Sequence, residues 1–161
     1  MELRWHDRAF GELTVAQLYA IIALREQVFV VEQTCAYLDA DGLDPASRHL
    51  WAESSDSDAS GDPDASGKLT QASTIQAYLR IVPAGAKFEE ISLGRIVTAP
   101  GARGTGLGRT LVRRGLAAVG NSPVRIGAQA HLERFYGELG FHRVSEPYIE
   151  DGIPHIDMLR A

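Results

Sequence analysis

Between Ile91 and Ala130 the chain passes from an apolar run, ISLGRIVTA, through a glycine-rich stretch, PGARGTGLGRTL, into a helix-like segment and then a second apolar run, PVRIGAQA. No other part of the sequence constrains the fold as much. Pro100 and Gly101 stop the first run as a strand. Past the glycines, Leu111, Val112, Leu116 and Val119 fall on one side of a helix, with Arg109 and Arg113 on the other. A strand, a glycine turn, a helix and a strand in that order imply a parallel pairing made by a crossover.

The flanking segments add further elements. ELRWH reads as a first strand, and Thr14 with Gln17 forms a capping box that opens a helix with Val15, Leu18, Ile22 and Phe29 on a helical spacing, ending near Val30. RHLWAE and IQAYLRIV read as strands on either side of a Ser-, Asp- and Gly-rich insertion at about 54–73, which holds too little apolar surface to repay ordering and is expected to be a flexible acidic loop. HLERFYGEL predicts a short helix ended by Gly140, and the tail FHRVSEPYIEDGIPHIDML a closing pair of strands.

A glycine turn between a strand and a helix N-terminus presents several backbone N–H groups, to which the helix dipole adds partial positive charge. A phosphate-bearing ligand suits such a place, although the same glycines also suit a plain tight turn. Two familiar phosphate patterns fail. A P-loop needs Lys and Ser/Thr directly after its last glycine, whereas Leu107 follows Gly106 and Arg109 follows Gly108. The dinucleotide fingerprint needs a third glycine where Arg109 or Leu111 stands.

Charge and cysteine content exclude other classes. With 16 basic against 21 acidic residues the formal charge is -5, which disfavours a nucleic-acid partner held through its phosphates. The opening MELRWHDRAF carries charges where a signal peptide needs an apolar segment, and no run of about 18 apolar residues follows, so no membrane partner is expected and a cytoplasmic protein is. One cysteine, Cys35, allows neither an internal disulfide nor a multi-cysteine zinc site. The length of 161 residues suits one domain, 1–161.

Arg103-Gly104-Thr105-Gly106-Leu107-Gly108 resembles the Arg/Gln-x-x-Gly-x-Gly/Ala signature of the GCN5-related N-acetyltransferase (GNAT) superfamily, in which backbone amides wrap the pyrophosphate of acetyl-CoA. ISLGRIVTAP resembles the strand that precedes it in that family, and QAHLERFYGELGF the later strand and helix. LREQVFVVEQTCAYLDADGLD and EDGIPHIDM are similar to the motifs of the ElaA-like subgroup, so the resemblance spans most of the chain outside the insertion. It implies an α/β fold of the α+β type, a mixed and mostly antiparallel sheet flanked by helices. It implies acetyl-CoA as acetyl donor, no metal, and an amine acceptor, either a small molecule or a peptide. A homodimer is compatible with it.

Residue by residue, the resemblance assigns Arg103, Gly104, Thr105, Gly106, Gly108 and Arg109 to the pyrophosphate, the backbone of Ile96 and Val97 to the pantetheine arm, and an N–H nearby to the oxyanion. Gln129 stands where many relatives carry an asparagine against that arm. Tyr136 matches the tyrosine that protonates the departing thiolate, since a phenol of pKa about 10 can supply a proton to a thiol of about 8.5. Its alternative is a plain core aromatic beside Phe135.

An amine nucleophile also needs a base. Glu32 and His155, from the two subgroup motifs, are the preferred candidates, with Gln33, Cys35, Tyr37, Glu150 and Asp151 expected to bind the acceptor. Asp39, Asp41 and Asp44 also fall in this region but read equally as a solvated loop with Asp-Gly and Asp-Pro turns. A calcium loop is excluded: with Asp39 and Asp41 as first and third ligands, Gly42 comes too early and Leu50 stands where a bidentate Glu belongs. Cys35 has no basic partner nearby in sequence, so covalent transfer is not expected. His6, His131 and His142 read as structural. The expected function is therefore acetyl transfer to a primary amine by direct attack in a ternary complex. The competing class is a binding module for CoA or another phospho-ligand that performs no chemistry.

Overall fold

A computed structural model describes residues 2–54 and 74–161. The insertion expected to be flexible lies almost wholly outside them. The described strands form one sheet: β1 (Leu3–Ala9), β2 (Arg48–Ser54), β3 (Thr74–Val82), β4 (Ile91–Thr98), β5 (Val124–Gln129), β6 (His142–Arg143), β7 (Tyr148–Glu150) and β8 (Ile153–Arg160), in the order β1-β2-β3-β4-β5-β8-β6 with β7 on β8. Every pairing is antiparallel except β4 with β5, the crossover read from the sequence.

That parallel pairing is short. Only Ile91↔Val124 and Ser92↔Arg125 are matched, and the remainder of both strands diverges. On its other edge β4 loses register with β3 between Tyr78 and Arg80, and Arg95 takes a left-handed φ of 51°. An extra residue there bends the strand away from its neighbour. A bulge on one edge and a parting on the other open a gap in the middle of the sheet.

Helices cover both faces. α1 (Val15–Arg25) and the turns that continue it pack Ile21, Leu24 and Val28 against Trp51, Tyr78 and Val97, while α2 (Leu107–Val119) and α3 (Glu133–Gly137) pack on the opposite face with Leu79, Leu93, Ile126 and Met158. Burying each such aliphatic side chain contributes about 1.5–3 kcal/mol. Gly115 lets α2 lie close to the sheet, since a methyl group there would stand 3.0 Å from Leu79 Cδ2. The capping box forms as read, with Gln17 N–H donating to Thr14 Oγ1 at 3.1 Å and Thr14 N–H to Gln17 Oε1 at 3.0 Å.

Three expectations need correction. The core face of α1 is Ile21, Leu24, Arg25 and Val28 rather than the stripe beginning at Val15, which is 87% exposed. The helix also runs on past Val30, as a π-helical segment at Glu26–Glu32 where Gln33 N–H reaches back five residues to the carbonyl of Val28. Wider turns shift the face that a 3.6-residue period predicts. The tail forms three strands, two short and one of eight residues, with β7 and β8 joined through Asp151 and Gly152 at φ 50° and 78°, the left-handed pair of a tight hairpin.

Candidate active site

The gap between β4 and β5 opens into a cavity of about 970 Å³. Glu32, Gln33, Cys35 and Tyr37 reach it from the end of the π segment and the loop that follows, Ile96 and Val97 from the bulged strand, and Gln129 and Tyr136 from the β5 end and α3. Glu150, Asp151 and His155 reach it from the β7–β8 hairpin, and Arg103 from the glycine turn. Twelve of the residues selected from sequence thus meet at one place although they span the chain from Glu32 to His155.

The other five, Gly104, Thr105, Gly106, Gly108 and Arg109, build the turn at the cavity's edge. Gly104 and Gly106 adopt φ of 76° and 83°, with open space where a Cβ would stand. Gly106 is the N-cap of α2 and offers no side-chain cap, so the first N–H groups of the helix remain available to an anion. A Cβ on Gly108 would meet Thr98 Oγ1 at 3.3 Å. This bare cradle fits the pyrophosphate of a CoA ester. Two side chains are otherwise engaged: Thr105 Oγ1 donates to the carbonyl of Ala102 at 2.7 Å, and Arg109 turns to α3, where it meets Glu138 at 2.6 Å and lies 5.5 Å over the Phe135 ring.

Tyr136 is 6% exposed, yet its hydroxyl meets no partner among the described residues. Edge contacts from Phe135 and Phe141 fix the ring. Burial raises its pKa well above the ordinary phenol value, so the hydroxyl keeps its proton and acts as a hydrogen-bond donor. Tyr136 is thus a core aromatic whose polar tip lines the cavity.

His155 Nδ1 lies 2.7 Å from the carbonyl of Ile153. A carbonyl only accepts, so Nδ1 carries a proton, and Nε2 lies 3.5 Å from Glu150 Oε2. Glu32 is placed differently, with its carboxylate 2.7 Å from the Arg103 guanidinium. Cys35 Sγ lies 3.4 Å from the carbonyl of Gln33 and 3.3 Å from that of Asp151, a pin between the loop and the hairpin. Gln129 Nε2 donates to Gln33 Oε1 at 3.3 Å across the gap.

The aspartate loop is not the solvated turn allowed for in the sequence reading. Arg25 from α1, 1% exposed, donates to Asp39 Oδ2 and Asp44 Oδ1 at 2.8 Å each. Arg80 from β3, equally buried, donates to Asp41 at 2.7 Å and Asp44 at 2.9 Å. Arg95, on the bulge, pairs with Asp39 at 2.8 Å and lies 5.4 Å over the Tyr37 ring, whose hydroxyl donates to Asp39 at 2.9 Å. Both arginines hold the Asp44 carboxyl below the usual range despite its burial. The network ties the loop carrying Tyr37 to the bulge beside Ile96. An arginine within each apolar run, Arg25 in the helix and Arg80 in IQAYLRIV, was the sequence signal for it.

A family model described as an acetyltransferase (GNAT) domain matches residues 62–160. A UPF0039 protein of Synechocystis is 37% identical over 163 residues, with 99% of this chain and 96% of the relative covered. An acyl-CoA N-acyltransferase from Pseudomonas aeruginosa is similar in structure, with TM-score 0.84 and 38% identity over 99% of this chain and 100% of that one. The crystal structure of Escherichia coli ElaA follows at TM-score 0.82 and 36% identity, with the same shares covered.

Proposed function

Because the chain belongs to the GNAT acetyltransferase family, we propose that it moves an acetyl group from acetyl-CoA to a primary amine, with donor and acceptor bound together. One observation carries the reading: β4 and β5 part after two residue pairs, and the gap leads from an uncapped glycine turn to Tyr136 and His155.

Acetyl-CoA supplies the acetyl group as an activated thioester. The turn from Gly104 to Gly108 would hold its pyrophosphate through backbone N–H groups, with Arg103 and Arg109 exchanging their carboxylate partners for phosphate oxygens. The unpaired edge of β4 at Ile96 and Val97 would bond the pantetheine arm, and an N–H on the bulge would receive the developing oxyanion. Gln129 would contact the same arm on releasing Gln33.

In the transfer the amine nitrogen bonds to the acetyl carbon, the carbon–sulfur bond breaks and its electron pair leaves on sulfur. His155 Nε2 takes the proton from the amine, with Glu150 beside it to stabilise the imidazolium formed. Tyr136 donates a hydrogen bond to the departing sulfur, which takes its proton through that hydroxyl or from solvent. Glu32, the other candidate base, pairs with Arg103 before the donor binds and is freed when that guanidinium turns to phosphate, a further carboxylate lining the cavity.

Titration calorimetry with acetyl-CoA, using ATP and NAD as controls, tests the donor site, and thiol release across a panel of amines tests the transfer. Selective, saturable acetyl-CoA binding followed by amine-dependent thiol release is expected. Folded protein that does not bind acetyl-CoA would remove the basis of the reading.

A further inference from the structure

The charges lining the cavity are not all matched. Its arginines are held by carboxylates, Arg80 by Asp41 and Asp44, Arg95 by Asp39 and Asp41, and Arg103 by Glu32. Lys87 lines the same cavity from the loop between β3 and β4 and pairs with no described carboxylate. Its Nζ rests 5.3 Å over the Phe88 ring. Facing it on β5 is Gly127, where a methyl group would stand 3.1 Å from Tyr148 Oη, 3.9 Å from Asp157 Oδ1 and 4.0 Å from Lys87 Nζ. The missing side chain at Gly127 leaves a shallow cradle that the Tyr148 hydroxyl, Asp157 Oδ1 and the ammonium share. The nearest carboxylate on β8 is already satisfied, because Asp157 takes Arg125 at 2.8 Å and the Tyr148 hydroxyl at 2.7 Å.

The opposite sign is left over at the β7–β8 hairpin. Glu150 and Asp151 line the cavity with no arginine or lysine partner among the described residues, and the ionic neighbour of Glu150 is His155. The two ends face neighbouring positions of β5. Gly127 pairs with Asp157 and Gln129 with His155, and two residues along a strand span about 7 Å. Lys87 is also remote from the phosphate cradle: it precedes β4 while the glycine turn follows it, and eight strand residues separate them by about 25 Å.

Resting on the transferase reading above, we propose that the acceptor is zwitterionic: a primary amine placed at His155 and Glu150, bearing a carboxylate several bonds away that Lys87 reads over Gly127. A cationic amine meets the unpaired carboxylates, and its carboxylate meets the unpaired ammonium, so both leftover charges are matched at once.

The test is thiol release from acetyl-CoA with δ-aminovalerate, its amide and n-pentylamine as acceptors, on the wild type, Lys87→Ala and Gly127→Ala. Lys87 is exposed, so its removal leaves the core intact. The wild type is expected to prefer the acid. Lys87→Ala raises KM for the acid about tenfold with kcat within about twofold, and Gly127→Ala shifts KM in the same direction by crowding the cradle. An amide or pentylamine accepted as well as the acid, or a preference that survives Lys87→Ala, would overturn the proposal. So would refusal of all three acceptors by protein that binds acetyl-CoA. Failure to bind acetyl-CoA would instead overturn the transferase reading beneath it.

Discussion

The chemistry of Tyr136 depends on how far its environment moves an ordinary phenol. Burial alone raises its pKa, with no charged group contributing. A phenol that weak as an acid stabilises sulfur by hydrogen bonding more than by early proton transfer, and a thiolate is already a tolerable leaving group. Tyr136→Phe keeps the two edge contacts with Phe135 and Phe141 and removes only the oxygen. Steady-state kinetics should show kcat falling about tenfold to a hundredfold while KM for acetyl-CoA stays within about threefold. Unchanged turnover would leave the residue a core aromatic. His155→Ala should cost kcat more at pH 7 than at pH 9, where the free amine forms without help, and a pH–rate profile would show it. The placement of Tyr136 and His155 at the cavity was legible because each sits in a segment that resembles a family motif. Lys87 and Gly127 were not: a lysine in a loop becomes informative only when every other cation nearby is seen to have a partner.

At the scale of elements, the glycine turn was readable because its conformation is demanded by residue type. Gly106 holds φ 83° at the start of α2 and nothing crowds it, so a side chain there is opposed by the backbone alone. Gly106→Val should therefore cost about 1–2 kcal/mol of stability. It should also rotate the first N–H groups of α2 away from the anion, weakening acetyl-CoA binding at least tenfold by calorimetry in protein that remains folded at 25 °C. Full affinity in this variant would place the phosphate elsewhere. The parallel crossover was legible for a similar reason, since chain direction leaves little choice once a strand, helix and strand are recognised. The buried face of α1 was not. Val15 and Tyr19 have helical spacing but lie 87% and 78% exposed, on the solvent side of a helix whose buried residues are Ile21, Leu24 and Arg25, and the π turns after Arg25 take the apolar stripe off its regular period only from there on.

Over the whole molecule, the aspartate loop, α1, β3 and β4 are joined by charges taken out of water, and that makes the fold sensitive to acid in a defined order. His49, fully buried, lies under Asp44: its Nε2 donates to the Asp44 carbonyl at 3.0 Å, so Nδ1 accepts from the Tyr78 hydroxyl at 2.8 Å. Burial lowers its pKa below the ordinary histidine value, and the nearby Arg25 and Arg80 push the same way. A depressed pKa means the unfolded chain takes the proton first as pH falls. The contribution is complete above the unfolded value of about 6.5 and is lost as pH falls from there toward the folded one, at up to about 1.4 kcal/mol per pH unit. Urea unfolding between pH 8 and pH 5 should show this slope, and His49→Gln should flatten it whatever it does to stability at pH 8. The Asp44 carboxylate, also depressed, follows only in stronger acid. Its removal at neutral pH is harsher, because Asp44→Ala leaves two buried guanidinium groups short of a partner and should cost about 3–5 kcal/mol. If the slope from pH 6.5 to 5 is the same in His49→Gln as in the wild type, the titrating group is elsewhere and the coupling of this network to the acid limb is wrong.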